Sequence, residues 1–154
     1  GFALNNRGSL FSTDPDAVNA LQPGKRPLHT LIPAMALNAA GRPELVFGTM
    51  GGEGQPQTQG ALLTRVLDFG QDIQTAINRP RWRWGRTWGA ASTALALEGR
   101  IPPAVQQGLQ RRGHRVQVLP DWTAEMGHAH MIHITPDGLL GACDPRSDGQ
   151  AAGF

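Results

Sequence analysis

The stretch Gly48-Thr49-Met50-Gly51-Gly52-Glu53-Gly54 offers chemistry through its backbone. Glycines carry no Cβ, so a turn built from them leaves its N–H groups uncovered. Such groups bind an anion or hold the negative oxygen of a tetrahedral intermediate. An ordinary flexible turn is the plain alternative. A second candidate is His128, His130 and His133, with Asp121 and Glu125 nearby, as zinc ligands. In a strand His128 and His130 share a face and His133 points to the other. Two imidazoles without a placed carboxylate are a weak metal signal, and packed or solvated histidines are the favoured explanation. A third is Arg79 to Trp88, which alternates arginine and tryptophan. Indoles on which bases stack, with guanidinium groups for phosphates, would bind single-stranded nucleic acid. A strand that buries one face and solvates the other gives the same alternation.

The elements that position these residues follow from periodicity and turn chemistry. Phe2-Ala3-Leu4 reads as a strand end, and Ser12 to Pro27 as a polar loop rich in turn dipeptides. Strands are expected from Ile32 to Leu37 and Glu44 to Phe47, joined by a hairpin at Asn38-Ala39-Ala40-Gly41. Ala61, Leu62, Val66 and Phe69 fall at helical spacing and predict a helix from about Gln57 to Phe69, ended by Gly70. Asp72 caps a short helix to Asn78, which Pro80 stops. A strand follows at Thr93 to Glu98, then a helix opened by Pro102-Pro103 and closed at Gly113. Strands at Arg115 to Leu119 and His130 to Thr135, and a Pro136-Asp137-Gly138 turn into Leu139 to Ala142, complete the chain. This order predicts an α+β fold, with helices packed on a largely antiparallel sheet.

Composition narrows the classes. The 154 residues make one domain or part of one, with 40% hydrophobic and 17% charged residues. A net charge of +2 is too small to imply a polyanionic partner, so neither nucleic acid nor an anionic surface is expected. The lone Cys143 forms no internal disulfide, and no apolar run is long enough to span a membrane. The N-terminus has no basic region and starts in mid-strand, as if cut from something longer.

Taken in order, further residues carry a resemblance. Leu4-Asn5-Asn6 precedes a loop, followed by Pro23-Gly24-Lys25-Arg26-Pro27-Leu28, Pro33, Gly51-Gly52 and Leu67-Asp68-Phe69-Gly70. Ala76-Ile77, Pro80-Arg81, Gly113-His114, Pro136-Asp137-Gly138, Asp144-Pro145-Arg146 and a terminal Ala-Gly-aromatic complete the series. From Leu4 to Phe154 the chain resembles the C-terminal part of the small subunit of γ-glutamyltransferases. The resemblance implies an N-terminal-nucleophile hydrolase with an αββα sandwich, whose precursor cuts itself into two subunits. The cut exposes a Thr that is both nucleophile and first residue of the small subunit. Gly51 and Gly52 then correspond to the oxyanion hole. Thr30 falls on the second residue of the family's hydroxyl pair, which helps hold the substrate carboxylate, and His29 falls on the first, a departure. Residues 1–154 are thus expected to be a single partial domain, with the nucleophile upstream of Gly1, and to be inactive alone. The large subunit of the same precursor is the expected partner, no cofactor or metal is implied, and homo-oligomerisation stays open. Typical bacterial members are exported while the branch without a lid is largely cytoplasmic, which leans slightly to the cytoplasm.

The departures bear on substrate. γ-Glutamyl enzymes follow Asn-Asn with a polar residue and an acid, which hold the substrate's ammonium group; here Arg7 and Leu10 take those positions after Asn6. An arginine suits a second carboxylate or an uncharged acyl group instead. The loop from Ser12 to Pro27 is short for the family, so the lid is expected to be lacking. These features resemble the branch of glutaryl-type cephalosporin acylases and oxamate amidohydrolase, with a small amide of a dicarboxylic or oxo acid as substrate. Arg7 as a solvated loop residue is the alternative. A binding module without catalysis, for nucleic acid through Arg81 to Trp88 or zinc through His128 and His130, is the competing class. By the resemblance His130 stands where relatives carry an amide side chain and has a hydrogen-bonding role; Asp144-Pro145-Arg146 either places Arg146 near the site or, the commoner use of an Asp–Arg pair, braces a terminal turn.

Overall fold

The computed structural model describes residues 4–153, which fall into two compact units, Gly1–Leu31 and Ile32–Phe154. Phe2 and Ala3, where a strand end is expected, lie outside the described residues, and Leu4 has no regular structure. In the first unit Arg7–Leu10 forms one 3-10 turn. The loop after it folds on itself: Ser12 bridges to Ala20, Asn19 Nδ2 donates to the Leu10 carbonyl, and Lys25 Nζ to that of Val18, both at 2.7 Å.

Among the described residues the second unit holds these strands and α-helices: β1 (Ala34–Leu37), β2 (Pro43–Thr49), α1 (Gln55–Leu67), α2 (Ile73–Asn78), β3 (Trp82–Trp84), β4 (Leu95–Glu98), α3 (Pro103–Arg111), β5 (Val116–Leu119), β6 (Ala129–Thr135) and β7 (Gly138–Cys143). They build a four-stranded antiparallel sheet in the order β1-β2-β6-β7 and a three-stranded sheet β3-β4-β5. β4 and β5 pair in parallel, which needs a crossover, and α3 supplies it. The fold is α+β and largely antiparallel.

Alternation along β2 and β6 sends Leu45, Phe47, Ala129 and Met131 to one face, where they pack with Leu62, Ile73, Ala76 and Ile77 of α1 and α2. Each large side chain buried there stabilises the fold by about 1.5–3 kcal/mol. The opposite face leaves Met35, Leu37, Ile132 and Leu139 uncovered. Asp72 accepts from the Thr75 N–H at 2.9 Å and starts α2. α1 differs from its expected bounds. It begins two residues earlier and stops at Leu67, so Phe69 lies beyond it and is 72% exposed. Its N-terminal half buries Gln55, Thr58 and Gln59 rather than apolar groups, because that end faces loop carbonyls: Thr58 Oγ1 donates to Met126 and Gln59 Nε2 to Ile32.

Two further readings gain detail from the structure. β3 buries one face, but it is the arginine face: Arg81 and Arg83 are 2% and 7% exposed, whereas Trp82 and Trp84 are 42% and 56% exposed. The strand's inner side meets carboxylates and carbonyls, which guanidinium groups satisfy and indoles would leave orphaned. With Arg81 and Arg83 enclosed, the strand itself shows only indoles outward, and of the segment's arginines Arg79 and Arg86 alone remain near the surface. Asp144 and Arg146 also do more than brace a turn. Arg146 pairs with Glu98 through Nε at 2.6 Å and with Asp144 through Nη1 at 3.1 Å, all three side chains fully buried. Arg81 pairs with Asp144 at 2.6 Å and donates to the Ile77, Met126 and Gly127 carbonyls. Arg100 reaches Glu98 at 2.8 Å and lies 3.4 Å above the Trp122 ring. The Ala129 N–H donates to Asp144.

Burial by itself raises the Asp144 pKa, but Arg81 and the N–H groups of Ala129 and Arg146 outweigh it and hold the carboxyl below its ordinary value. Burial, then the Arg146 charge, lowers Arg81 to about 10, still cationic at neutral pH. Because the Asp144 pKa is depressed on folding, its stabilisation is complete above the unfolded value of about 3.9 and fades as pH falls through the lower folded one. Urea unfolding should therefore show stability declining below about pH 4, with a weaker decline in Asp144→Asn. Glu98→Ala should cost about 3–5 kcal/mol at neutral pH by leaving Arg146 uncompensated; a loss under about 1 kcal/mol would contradict the network.

Candidate active site

β2 runs out at Thr49 and α1 starts at Gln55, and Gly51-Gly52-Glu53-Gly54 makes the passage between them. Gly51 has φ 136° and Gly52 has φ 52°, backbone states that L side chains rarely adopt. No side chain caps the 3-10 turn Gly52–Gly54 or the start of α1. The turn thus presents N–H groups at the head of a helix, where they favour negative charge.

Neighbours fix the turn on both sides. A Cβ at Gly52 would overlap the Thr87 carbonyl, and a Cβ at Gly51 would lie 3.6 Å from the Gly127 Cα. Gly127 has φ 83°, and a Cβ there would overlap Thr49 Oγ1 and the Met50 carbonyl. The surface pair Arg86–Glu53, 2.8 Å, adds little. An open cleft of about 430 Å³, lined by Gly48, Thr49, Met50, His128 and His130, adjoins the turn. His128 precedes β6 and His130 lies on it, and the buried His128 Nε2 has no hydrogen-bond partner. Among the described residues no group of three or more His, Cys, Asp or Glu is placed to hold a metal ion.

The first unit brings together three of the residues singled out in the sequence. Arg7 Nε and Nη2 both donate to Asn6 Oδ1, at 3.2 and 2.6 Å, and Nη1 donates to Thr30 Oγ1 at 2.5 Å. The Asn5 side chain accepts from the Arg7 N–H at 2.8 Å. A guanidinium has five N–H donors. These three bonds leave one on each terminal nitrogen, the pair that grips a carboxylate in bidentate fashion. His29 is exposed and takes no part in the cluster. Thr87, Arg83 and Gly127 were not singled out individually in the sequence; the signal for the first two was the Arg-Trp alternation of the segment that holds them.

A family model described as gamma-glutamyltranspeptidase matches residues 1–154. The chain is 54% identical over 155 residues to the oxamate amidohydrolase proenzyme of Klebsiella pneumoniae. It is 50% identical over 155 residues to the glutathione hydrolase-like YwrD proenzyme of Bacillus subtilis. Both alignments cover 100% of this chain, which spans 29% of the length of each relative. The crystal structure of cephalosporin acylase from Bacillus halodurans matches with TM-score 0.76 and 39% identity, over 100% of this chain and 28% of that one. A gamma-glutamyltranspeptidase of Pseudomonas nitroreducens, 24% identical, shares the fold at TM-score 0.72, over 100% of this chain and 82% of its own.

The turn's geometry predicts a contrast between two glycines. Gly52→Ala should lose about 2–4 kcal/mol from the left-handed backbone and the overlap with Thr87. Gly60→Ala, on the open face of α1 with nothing within 4 Å, should gain about 1 kcal/mol. Urea midpoints check both, and a Gly52→Ala protein as stable as its parent would refute the packing described.

Proposed function

The chain belongs to the gamma-glutamyltranspeptidase family, and on that premise we propose that it is the C-terminal part of the small subunit of a self-processing amide hydrolase. Its substrate is the amide of a small dicarboxylic or oxo acid. The nucleophile is a Thr upstream of Gly1, freed by cleavage of the precursor and activated by its own α-amine. Its hydroxyl attacks the amide carbonyl, and the Gly51 and Gly52 N–H groups hold the oxyanion. The amine departs, and water releases the acid from the acyl-enzyme. The bare sheet face carrying Met35, Leu37, Ile132 and Leu139 suits the second sheet of an αββα sandwich, supplied by the rest of the precursor and its large subunit.

The observation that carries the substrate class is Arg7, braced by Asn6 and Thr30 with two N–H donors to spare. A cation there suits a carboxylate of the substrate and disfavours the ammonium group of a γ-glutamyl donor. The 54% likeness to an oxamate amidohydrolase supports this, while the 50% likeness to a glutathione hydrolase-like protein leaves Arg7 to carry the distinction.

The test uses the complete, cleaved protein with oxamate, glutaryl p-nitroanilide and γ-glutamyl p-nitroanilide. The first two should be turned over with higher kcat/KM than the third. Arg7→Gln should lower kcat/KM for the preferred substrate by roughly 10- to 150-fold, the worth of a hydrogen bond to a charged group. A preference for the γ-glutamyl anilide overturns the substrate class.

A further inference from the structure

The Arg79 to Trp88 segment has no part in the scheme above, yet its inward side lies against the glycine turn. Arg83 is 7% exposed, and its Nη1 donates to Thr87 Oγ1. Thr87 Oγ1 in turn donates to the Glu125 carbonyl at 2.8 Å. Arg83 also reaches the Glu125 carbonyl and the Glu125 carboxylate at the outer limit of 3.5 Å, while its buried Nε finds no acceptor. Its Cδ would stand 3.3 Å from a Cβ at Gly54. The Thr87 carbonyl occupies the space a Gly52 side chain would need.

We propose that Arg83 and Thr87 are positioning residues for the Gly51-Gly52 turn. They form a buried clamp that ties the loop after β3 to the 124–127 turn and sets the direction of the two glycine N–H groups. The proposal rests on the oxyanion-hole role given to Gly51 and Gly52 above. The turn's own bonds, from Gly54 N–H to the Gly51 carbonyl at 2.9 Å and from Gln55 Nε2 to the Gly52 carbonyl at 3.3 Å, hold its carbonyls, whereas the direction of the Gly51 and Gly52 N–H groups rests on glycines that permit many backbone states. Contacts from outside must choose one. Thr87 presses on Gly52 from one side and Gly127 borders Gly51 on the other. Arg81 holds that second border by donating to the Met126 and Gly127 carbonyls at 3.0 and 3.1 Å. A buried arginine with an unsatisfied Nε is a costly way merely to fill space. Orientation of an oxyanion donor gives a reason for it, since a displacement near 1 Å costs a rate factor of about 100.

The clamp predicts a separation of kinetic constants in the complete, cleaved protein, assayed with oxamate and glutaryl p-nitroanilide. Thr87→Val keeps the shape but removes the hydroxyl; it should lower kcat by about 10- to 100-fold with KM unchanged. Thr87→Ser keeps the hydroxyl and should retain kcat. Arg83→Met should behave like Thr87→Val, with Arg83→Lys recovering part of the loss. Should Thr87→Val unfold more easily, kcat is taken per folded molecule well below its Tm; a parental kcat there overturns the clamp. An equal loss in Thr87→Ser and Thr87→Val overturns it as well, because packing alone would then be at stake. Gly51→Ala separates the two ideas. If it loses kcat while Thr87→Val does not, only the clamp fails. If Gly51→Ala keeps kcat, the oxyanion-hole role fails with it.

Discussion

The structure of the second unit depends on four charges that water cannot reach. Arg81, Glu98, Asp144 and Arg146 come from the entrance to β3, the end of β4 and the segment after β7. Together they join the three-stranded sheet to the four-stranded one and, through the Ile77 carbonyl, to α2. Desolvating such groups is expensive, and only near-complete pairing and hydrogen bonding makes the arrangement tolerable. That condition is met for the carboxylates. Asp144 accepts from two arginines and two backbone N–H groups, and Glu98 from two arginines and the Arg81 N–H. An apolar core would have joined the sheets with less direction. A network of fixed hydrogen bonds sets where each strand end and loop must stand.

Direction matters because the network ends at the candidate site. Arg81 Nη1 donates to the Met126 and Gly127 carbonyls, and Gly127 borders Gly51. Core, loop and glycine turn are therefore one continuous chain of contacts. The cluster of Arg7, Asn6 and Thr30 is built differently, from bonds between neighbours Arg7 and Asn6 and one bond across 23 residues to Thr30.

Much of this was legible in the sequence. Hairpins, caps and stops came from Asn38 to Gly41, Asp72, Pro80 and Gly138, because turn chemistry is local. The glycine turn stood out for the same reason, and its strand-to-helix setting is what the structure shows. The parallel pairing of β4 with β5 and the burial of the β3 arginines were not legible. Both depend on partners distant in sequence: Glu98, Glu125 and Asp144 decide which side of Arg81-Trp82-Arg83-Trp84 turns inward. Hydropathy alone sends the indoles in. Phe69 misled for a related reason, since its helical spacing continues past the point where α1 ends.

The account centres on a nucleophile made by self-cleavage and an oxyanion hole made by Gly51 and Gly52. Intact mass with N-terminal sequencing, on the product of the complete reading frame, tests that centre most directly. A cleaved small chain that begins with Thr upstream of Gly1 is the predicted result. A single uncut chain would contradict the account, because no N-terminal nucleophile would then face the glycine turn.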